Sequence, residues 1–301
     1  MGQVAKIVKV VVPVAGMGTR LLPATKSQPK EMLPVGRRPV VQYVVEELEA
    51  AGLTQILFIT GRKKTAIEDH FDPDPELVRL LSAGGGYALL EELKYTETEA
   101  RFFYTRQSTP LGLADAVGHA KEFVGDDHFV VALGDSIIKS SDGSSFLRAL
   151  IADHLRSGAA CTLAVEEVNR DEVYRYGVVK PKEGQETAQS FDVEDLVEKP
   201  RPEVAPSNLA IAARYVFSPA IFDAIQRTAP DRNGELQLTD SIRLLLQLGY
   251  KVRAMRLRPK ERRYDIGNFE SYFKAFIDFA IADEKYGYMV RQYLKRKVRE
   301  F

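Results

Sequence analysis

Apolar and polar positions follow two rhythms along this chain, and the change from one to the other divides it. Across the first half, short β-branched runs (KIVKVVV, QILFIT, RFFYT, HFVVAL) alternate with stretches whose apolar residues recur three and four apart: PVVQYVVEELEAAG, ELVRLLS, LLEELK and LADAVGHAKEFV. Pro39 opens the first of these helices and Gly52 lies just past its end, as their backbone preferences require. A Gly84–Gly86 break separates the second from the third. Such alternation predicts a parallel sheet with right-handed crossovers and helices on both faces. Ligands of such sheets lie beyond the carboxyl ends of the strands, so the loops AGMGTR, TGRKK, RQSTPLG and GDS are the ones to read for chemistry.

After about Ala159 the texture changes to strand-like pieces with short turns (CTLAVEEV, YGVVKP, SFDVEDLVEKP, NLAIAARYVF), expected to extend the sheet and form a lid beside a nucleotide pocket. From Pro219 onward helix-period segments are expected to dominate. The last of them, FESYFKAFIDFAIADEKYGYMVRQYLKRKVREF, carries Phe273, Phe276, Ile277, Tyr286, Tyr293 and Leu294 at helical spacing. That stripe is expected to cover the chain's own core, with a subunit interface as its other use. No internal repeat or low-complexity tract is visible.

Composition narrows the function. At 301 residues, 45% hydrophobic and 28% charged, the chain can bury a substantial core. Lys+Arg and Asp+Glu number 42 each, so no net field draws it to nucleic acid or an anionic membrane, and any bound anion must be held by local charges. Cys161 is the sole cysteine; it builds no disulfide frame, and no His/Cys pair stands at zinc-ligand spacing. These features point to the cytoplasm. The run IVKVVVPVAG is too short to span a bilayer and leads into the glycine loop without a cleavage site, and Lys6 stands where a myristoylation signal wants Ser or Thr.

The glycine loop matches neither familiar nucleotide loop. Gly16-Met17-Gly18 lacks the third glycine of a dinucleotide fingerprint, Pro23 allows at most a short helical turn before it, and no G-K-[ST] follows. What remains is a plain tight turn, or a turn whose glycines let backbone N–H groups approach an anion, with Arg20 and then Lys30 supplying cations.

The longer stretch G-x-G-T-R-x-x-P-x-T-K…P-K-E-M-L-P-V resembles the signature of sugar-1-phosphate nucleotidylyltransferases, and PATKSQPKEMLPV is most similar to bacterial UTP–glucose-1-phosphate uridylyltransferases. Further blocks recur in the family's order: RQSTPLGLADAV, FVVALGD, YGVVKP, LVEKP, SNLAIAARYVF, GELQLTDSI and YDIGN. The resemblance covers nearly the whole chain. It implies an α/β fold with a Rossmann-like, mixed but mainly parallel sheet flanked by helices. It also implies one domain over 1–301, made of a nucleotide-binding half (1–158), a sugar-phosphate-binding half (159–267) and C-terminal helices (268–301), assembled as a homodimer or homotetramer.

The reaction so implied joins glucose 1-phosphate to the α-phosphorus of UTP and expels pyrophosphate, with Mg²⁺ as cofactor. Bringing one phosphate oxyanion onto another costs roughly 4 kcal/mol per pair of unit charges at about 4 Å and an effective dielectric of about 20, so cations must be supplied locally. The resemblance gives Asp135 and Asp265 to the metal, Arg20 to the triphosphate and departing pyrophosphate, and Lys30 to the α-phosphate. It gives Ala15, Gly16, Gly18, Thr19, Gln107 and Gly112 to the nucleotide, the Gln107 amide donating and accepting at a pyrimidine dione edge. Glu198 is implied for sugar hydroxyls, Lys199 for the sugar's phosphate and Gly177 for close approach of the sugar. Glu31 is expected to touch the nucleotide or brace the loop, and Lys26 to face water. Each has a plainer reading: Asp135 as a turn or helix cap, Glu198-Lys199 as a surface pair, Gly177 as a bulge.

Three departures stand out. Gly134-Asp135-Ser136 replaces the usual G-D-D, Gly112-Leu113-Ala114-Asp115-Ala116 the usual G-L-G-H-A, and Gly36-Arg37-Arg38-Pro39 the common V-D-K-P. The second bears on nucleotide preference. Rival readings are a thymidylyltransferase using dTTP, whose shorter G-G-x-G-T-R signature is missing here, and a weakly active regulatory paralogue.

Overall fold

The computed structural model describes residues 6–140 and 144–300; the segment on which an anchor or leader would depend, 1–5, lies outside them. Its strands run β1 (Lys9–Pro13), a short ribbon of β2 (Pro34–Val35) and β3 (Arg38–Pro39), β4 (Gln55–Thr60), β5 (Arg101–Arg106), β6 (Phe129–Ala132) and β7 (Ser136–Lys139). They continue with β8 (Cys161–Glu167), β9 (Gly177–Pro181), β10 (Ser190–Glu198), β11 (Leu209–Phe217), β12 (Val252–Arg256) and β13 (Arg262–Asp265).

Among the described residues nine strands form one sheet in the order β5-β4-β1-β6-β11-β8-β12-β10-β9. The first four pair in parallel, as do β8 and β12, while β11 runs antiparallel to β6 and β8, and β10 antiparallel to β12 and β9. The fold is thus α/β with a mixed sheet, its parallel region built by the first half. Both faces are covered at β1, β4, β6 and β11, which is why these strands read as continuous apolar runs. Val11 of β1 packs into one core with Phe129, Phe217 and Phe222, while Val10 and Val12 enter the other with Phe58, Val44 and Phe146. The period-two alternation of strand side chains divides β1 between the two cores.

Helices dominate after Pro219 as expected, while two other expectations fail. The short strands β12 and β13 lie among those helices. The helix expected over LADAVGHAKEFV is two pieces, Leu113–Gly118 and Lys121–Val124. The C-terminal stripe does not cover the core: Phe273, Phe276, Ile277, Tyr286 and Tyr293 are exposed, and only Ala275 of the helix Phe269–Ala282 is buried. That helix docks by its other side, where Tyr272 and Phe279 pack against Val35, Val40 and Tyr264.

A register shift in β11 between Ile211 and Tyr215 places Ala213 at φ 58° and turns Arg214 into the protein. Its guanidinium, fully buried, donates to both carboxylate oxygens of Glu47 (3.2 and 2.6 Å), which stands on the helix Val40–Ala50, and to the carbonyl of Ser136 (3.0 Å). The loop carrying Asp135 therefore rests on a buried ion pair.

Candidate active site

The turn after β1 is shaped by close contacts at its glycines. Gly18 adopts φ 67°, its carbonyl accepts from Thr25 Oγ1 at 2.7 Å, and a single short helical turn, Thr19–Leu21, follows before Pro23. A Cβ on Gly134 would stand 2.5 Å from Val14 Cγ1, so the glycine of GDS lets the β6 exit pack directly on the end of β1. Residues from both loops thereby reach one place.

There Lys30 Nζ donates to Asp135 Oδ2 in a direct ion pair. Burial opposes the charged ammonium, but Asp135, Glu31 and Asp265 around it prevail and raise the Lys30 pKa. Burial likewise pushes the Asp135 carboxyl up, and Lys30 and Arg20 more than reverse this, holding it below the usual range. Asp265 goes the other way: burial and the neighbouring Asp135 raise it against Arg263, Lys30 and Arg20.

The nearness of the two acids follows from pairing of β13 with β7, which sets Asp265 opposite Ser136 and lets Ile266 N–H donate to the Asp135 carbonyl at 2.9 Å. At Gly267 a Cβ would stand 3.0 Å from Asp265 Oδ1 and 3.2 Å from Arg20 Nη2, so this glycine leaves room for the guanidinium beside the acid.

A cavity of about 210 Å³ opens beside this cluster, lined by Ala15, Gly16, Lys30, Gln107, Gly112 and Asp135 among others. Gln107 also lines a second cavity of about 280 Å³ with Lys26, Arg62 and Lys63. Gly112 has φ 105°, and a Cβ there would meet the Leu236 carbonyl oxygen at 2.5 Å, so the GELQLTDSI block is backed against the RQSTPLG loop. Gly18 and Thr19 line neither of these cavities. Glu31, expected among the nucleotide contacts, is 1% exposed, and its Oε2 accepts from Lys64 Nζ at 2.8 Å; burial raises its pKa. The contact therefore braces the PKEM turn against the TGRKK loop.

Gly177, Glu198 and Lys199 form a second cluster. β9 pairs Gly177 with Glu198, Glu198 Oε2 accepts from Thr239 Oγ1 at 2.7 Å, and Lys199 Nζ lies 3.1 Å from Glu198 Oε1. A Cβ on Gly177 would stand 2.6 Å from Thr239 Oγ1, so its smallness serves this packing, and the register shift of β10 falls elsewhere, between Val193 and Asp195. Lys199 sits at φ 44° with its side chain about half exposed. Burial and then Glu198 raise the pKa of the Tyr215 hydroxyl, and Asp135 adds to this.

Sequence reasoning missed Lys64, Thr239 and Arg263. Arg263, on β13, donates to Glu166 at 2.5 Å and lies 3.7 Å from Asp265. Their signal was present: Lys64 lies in a strand-exit loop, while Thr239 and Arg263 lie in or beside the blocks GELQLTDSI and YDIGN.

A buried pair of carboxylates of which one is forced up in pKa is an arrangement that a divalent cation relieves. Among the described residues no set of three or more His, Cys, Asp or Glu is gathered. Two carboxylates suit Mg²⁺ nonetheless, because this ion takes one or two from a protein and fills its remaining positions with phosphate and water oxygens.

Comparison with known proteins bears on the whole arrangement. The family model described as nucleotidyl transferase matches residues 9–280. A UTP–glucose-1-phosphate uridylyltransferase of Staphylococcus saprophyticus is 40% identical over 98% of this chain and 98% of its own, and that of Bacillus subtilis 40% identical over 93% of each. The UTP-bound UGPase of Acinetobacter baumannii superposes with a TM-score of 0.88 at 37% identity, covering 96% of this chain and 99% of that one. A UDP-glucose pyrophosphorylase complexed with UDP-glucose gives 0.81 at 34% identity, over 92% and 100%.

Proposed function

The chain belongs to the nucleotidyl transferase family, and on that premise we propose that it transfers the uridylyl group of UTP to glucose 1-phosphate, giving UDP-glucose and pyrophosphate. A phosphate oxygen of the sugar attacks the α-phosphorus in line. The bond from that phosphorus to the oxygen bridging to the β-phosphate breaks, and its electrons leave with pyrophosphate. The observation that carries this reading is the gathering of Arg20 and Lys30 of the N-terminal loop with Asp135 and Asp265, from three distant parts of the sequence, beside one cavity, in a chain with 40% identity to uridylyltransferases.

Lys30, held charged by the acids around it, meets the α-phosphate, and Arg20 neutralises the departing pyrophosphate. Ala15, Gly16, Gly112 and Gln107 enclose the base, with Gly18 and Thr19 shaping the turn. Glu198 accepts from sugar hydroxyls and Lys199 pairs with the sugar's phosphate, while Gly177 leaves the room in which Thr239 braces Glu198. Asp135 and Asp265 would hold Mg²⁺. Bound there, the ion supplies neutralising charge to the reacting phosphates.

We further place the work of the chain in the cytoplasm, as a homodimer or homotetramer, with a nucleotide-binding half over 1–158 and a sugar-phosphate half over 159–267. The exposed apolar side chains of the helices Phe269–Ala282 and Gly287–Val298 support self-association. No helix of the described residues is long and apolar enough to cross a membrane. The test is pyrophosphate release over a panel of nucleoside triphosphates and hexose 1-phosphates. UTP with glucose 1-phosphate is expected to be fastest; dTTP fastest would support the thymidylyl reading, and release with none the regulatory one.

A further inference from the structure

Gln107 is more constrained than a base-reading amide needs to be. Its backbone N–H donates to the Thr60 carbonyl at 2.9 Å, and the residue is 5% exposed. Its Nε2 has two hydrogens, and both are engaged by the protein: one acceptor is the Gly112 carbonyl at 3.1 Å, the other Asp115 Oδ2 at 2.6 Å. Neither acceptor is free to leave. Gly112 is pinned by the Leu236 backbone, and Ala114 N–H donates to the Leu236 carbonyl at 2.9 Å. Asp115 stands in the first turn of the helix Leu113–Gly118, with His119 Nε2 3.6 Å away. A flipped amide would set Oε1 against two acceptors, one of them a carboxylate, so the network admits a single orientation.

We infer that Asp115 is a positioning residue for pyrimidine selection: it locks the Gln107 amide so that this side chain offers the base only its carbonyl oxygen. Among the described residues no donor is bonded to Oε1, while Gln107 lines both cavities. An acceptor fixed in this way matches the N3–H of uracil or thymine. Cytosine presents a lone pair at N3, and two acceptors then face each other without a proton. The lock therefore excludes CTP and leaves the choice between UTP and dTTP to other contacts. It also replaces the expected two-way pairing of Gln107 with the base by a single accepted bond. This inference rests on the reading of Gln107 as a base contact, and the charge on Asp115 strengthens the bond that enforces it.

The experiment is titration of the full chain with UTP and with CTP, without sugar phosphate. The unaltered chain should prefer UTP. Asp115→Ala removes the charged acceptor and leaves only the 3.1 Å bond to the Gly112 carbonyl holding the amide, so the UTP:CTP affinity ratio should fall at least tenfold. Asp115→Ser, too short to reach Nε2, should repeat that fall if the alanine variant folds poorly. Asp115→Asn keeps an accepting oxygen and should stay within about threefold of the unaltered ratio. An unchanged ratio in the alanine or serine variant, or an equal fall in the asparagine variant, would overturn the inference. A chain that binds neither nucleotide would overturn it together with the proposed function. Intact UTP preference without pyrophosphate release would sink only the latter.

Discussion

The Lys30–Asp135 cluster and the Glu198–Lys199 cluster are held in different ways. On the β1 side, Lys30 is already paired with Asp135, Lys64 with Glu31, and Gln107 with Asp115, all at least partly buried. On the β10 side, Glu198 is anchored by Thr239, but Lys199 is half exposed on a left-handed backbone, with Glu198 as its ion-pair partner. The first is a framework with its charges balanced before any ligand arrives; the second leaves its cation free to turn toward an incoming anion. Electrostatic preorganisation is what phosphoryl chemistry requires, whereas a substrate that must enter and leave benefits from a looser contact.

The comparison breaks first at Asp135. Asp135→Asn removes a charge that balances Lys30 and is expected to lower kcat about 10³-fold, equivalent to about 4 kcal/mol, with the thermal melt little changed. Near-normal turnover would take Asp135 out of the reaction. Next in size is the support beneath it. Arg214→Met strands Glu47 in the interior and should cost about 3 kcal/mol in denaturant unfolding, while the double change with Glu47→Leu recovers most of that loss. A double variant as unstable as the single one would show that the pair itself is not what matters.

Lys199→Ala should act on one substrate only. The KM for sugar phosphate is expected to rise about 30-fold with UTP binding little affected, as steady-state kinetics and nucleotide titration would show. Equal losses for both ligands would merge the two clusters into one.

The smallest effect lies far from both. His154 is buried against His128 (Nε2 to Nδ1, 2.8 Å) and Thr162, and burial, then the neighbouring His128, lowers its pKa to about 4. A histidine so depressed takes up its proton on unfolding, so stability is full above the unfolded value near 6.5 and falls as pH drops toward 4. Between pH 7.5 and 5.5 the loss should be about 1 kcal/mol, and His154→Gln should flatten it. An unaltered pH profile in that variant would assign the dependence elsewhere.

How much of this was legible depended on whether a signal was local. The parallel strands could be read because burial on both faces leaves apolar runs such as KVVV and QILFIT, and the loops to inspect followed from strand polarity. β12 could not: VRAMR sets two arginines among apolar residues, and these are satisfied by Asp153, Asp192 and Glu167 from elsewhere in the chain. The C-terminal stripe misled because helical periodicity shows that a face is apolar without saying what covers it. Asp135 and Asp265 could each be singled out, yet their adjacency comes from the pairing of β13 with β7, which no run of residues announces. Lys64 stood in a loop the strand polarity singled out, but a lysine in TGRKK looks solvated until Glu31 is found beneath it.

The central claim is that Asp135 and Asp265 share one divalent cation beside the bound nucleotide. Mn²⁺, standing in for Mg²⁺, can be titrated into the chain with UTP present and followed by electron paramagnetic resonance. One ion per chain is expected, lost in both Asp135→Asn and Asp265→Asn. Undiminished Mn²⁺ binding in either variant would contradict it.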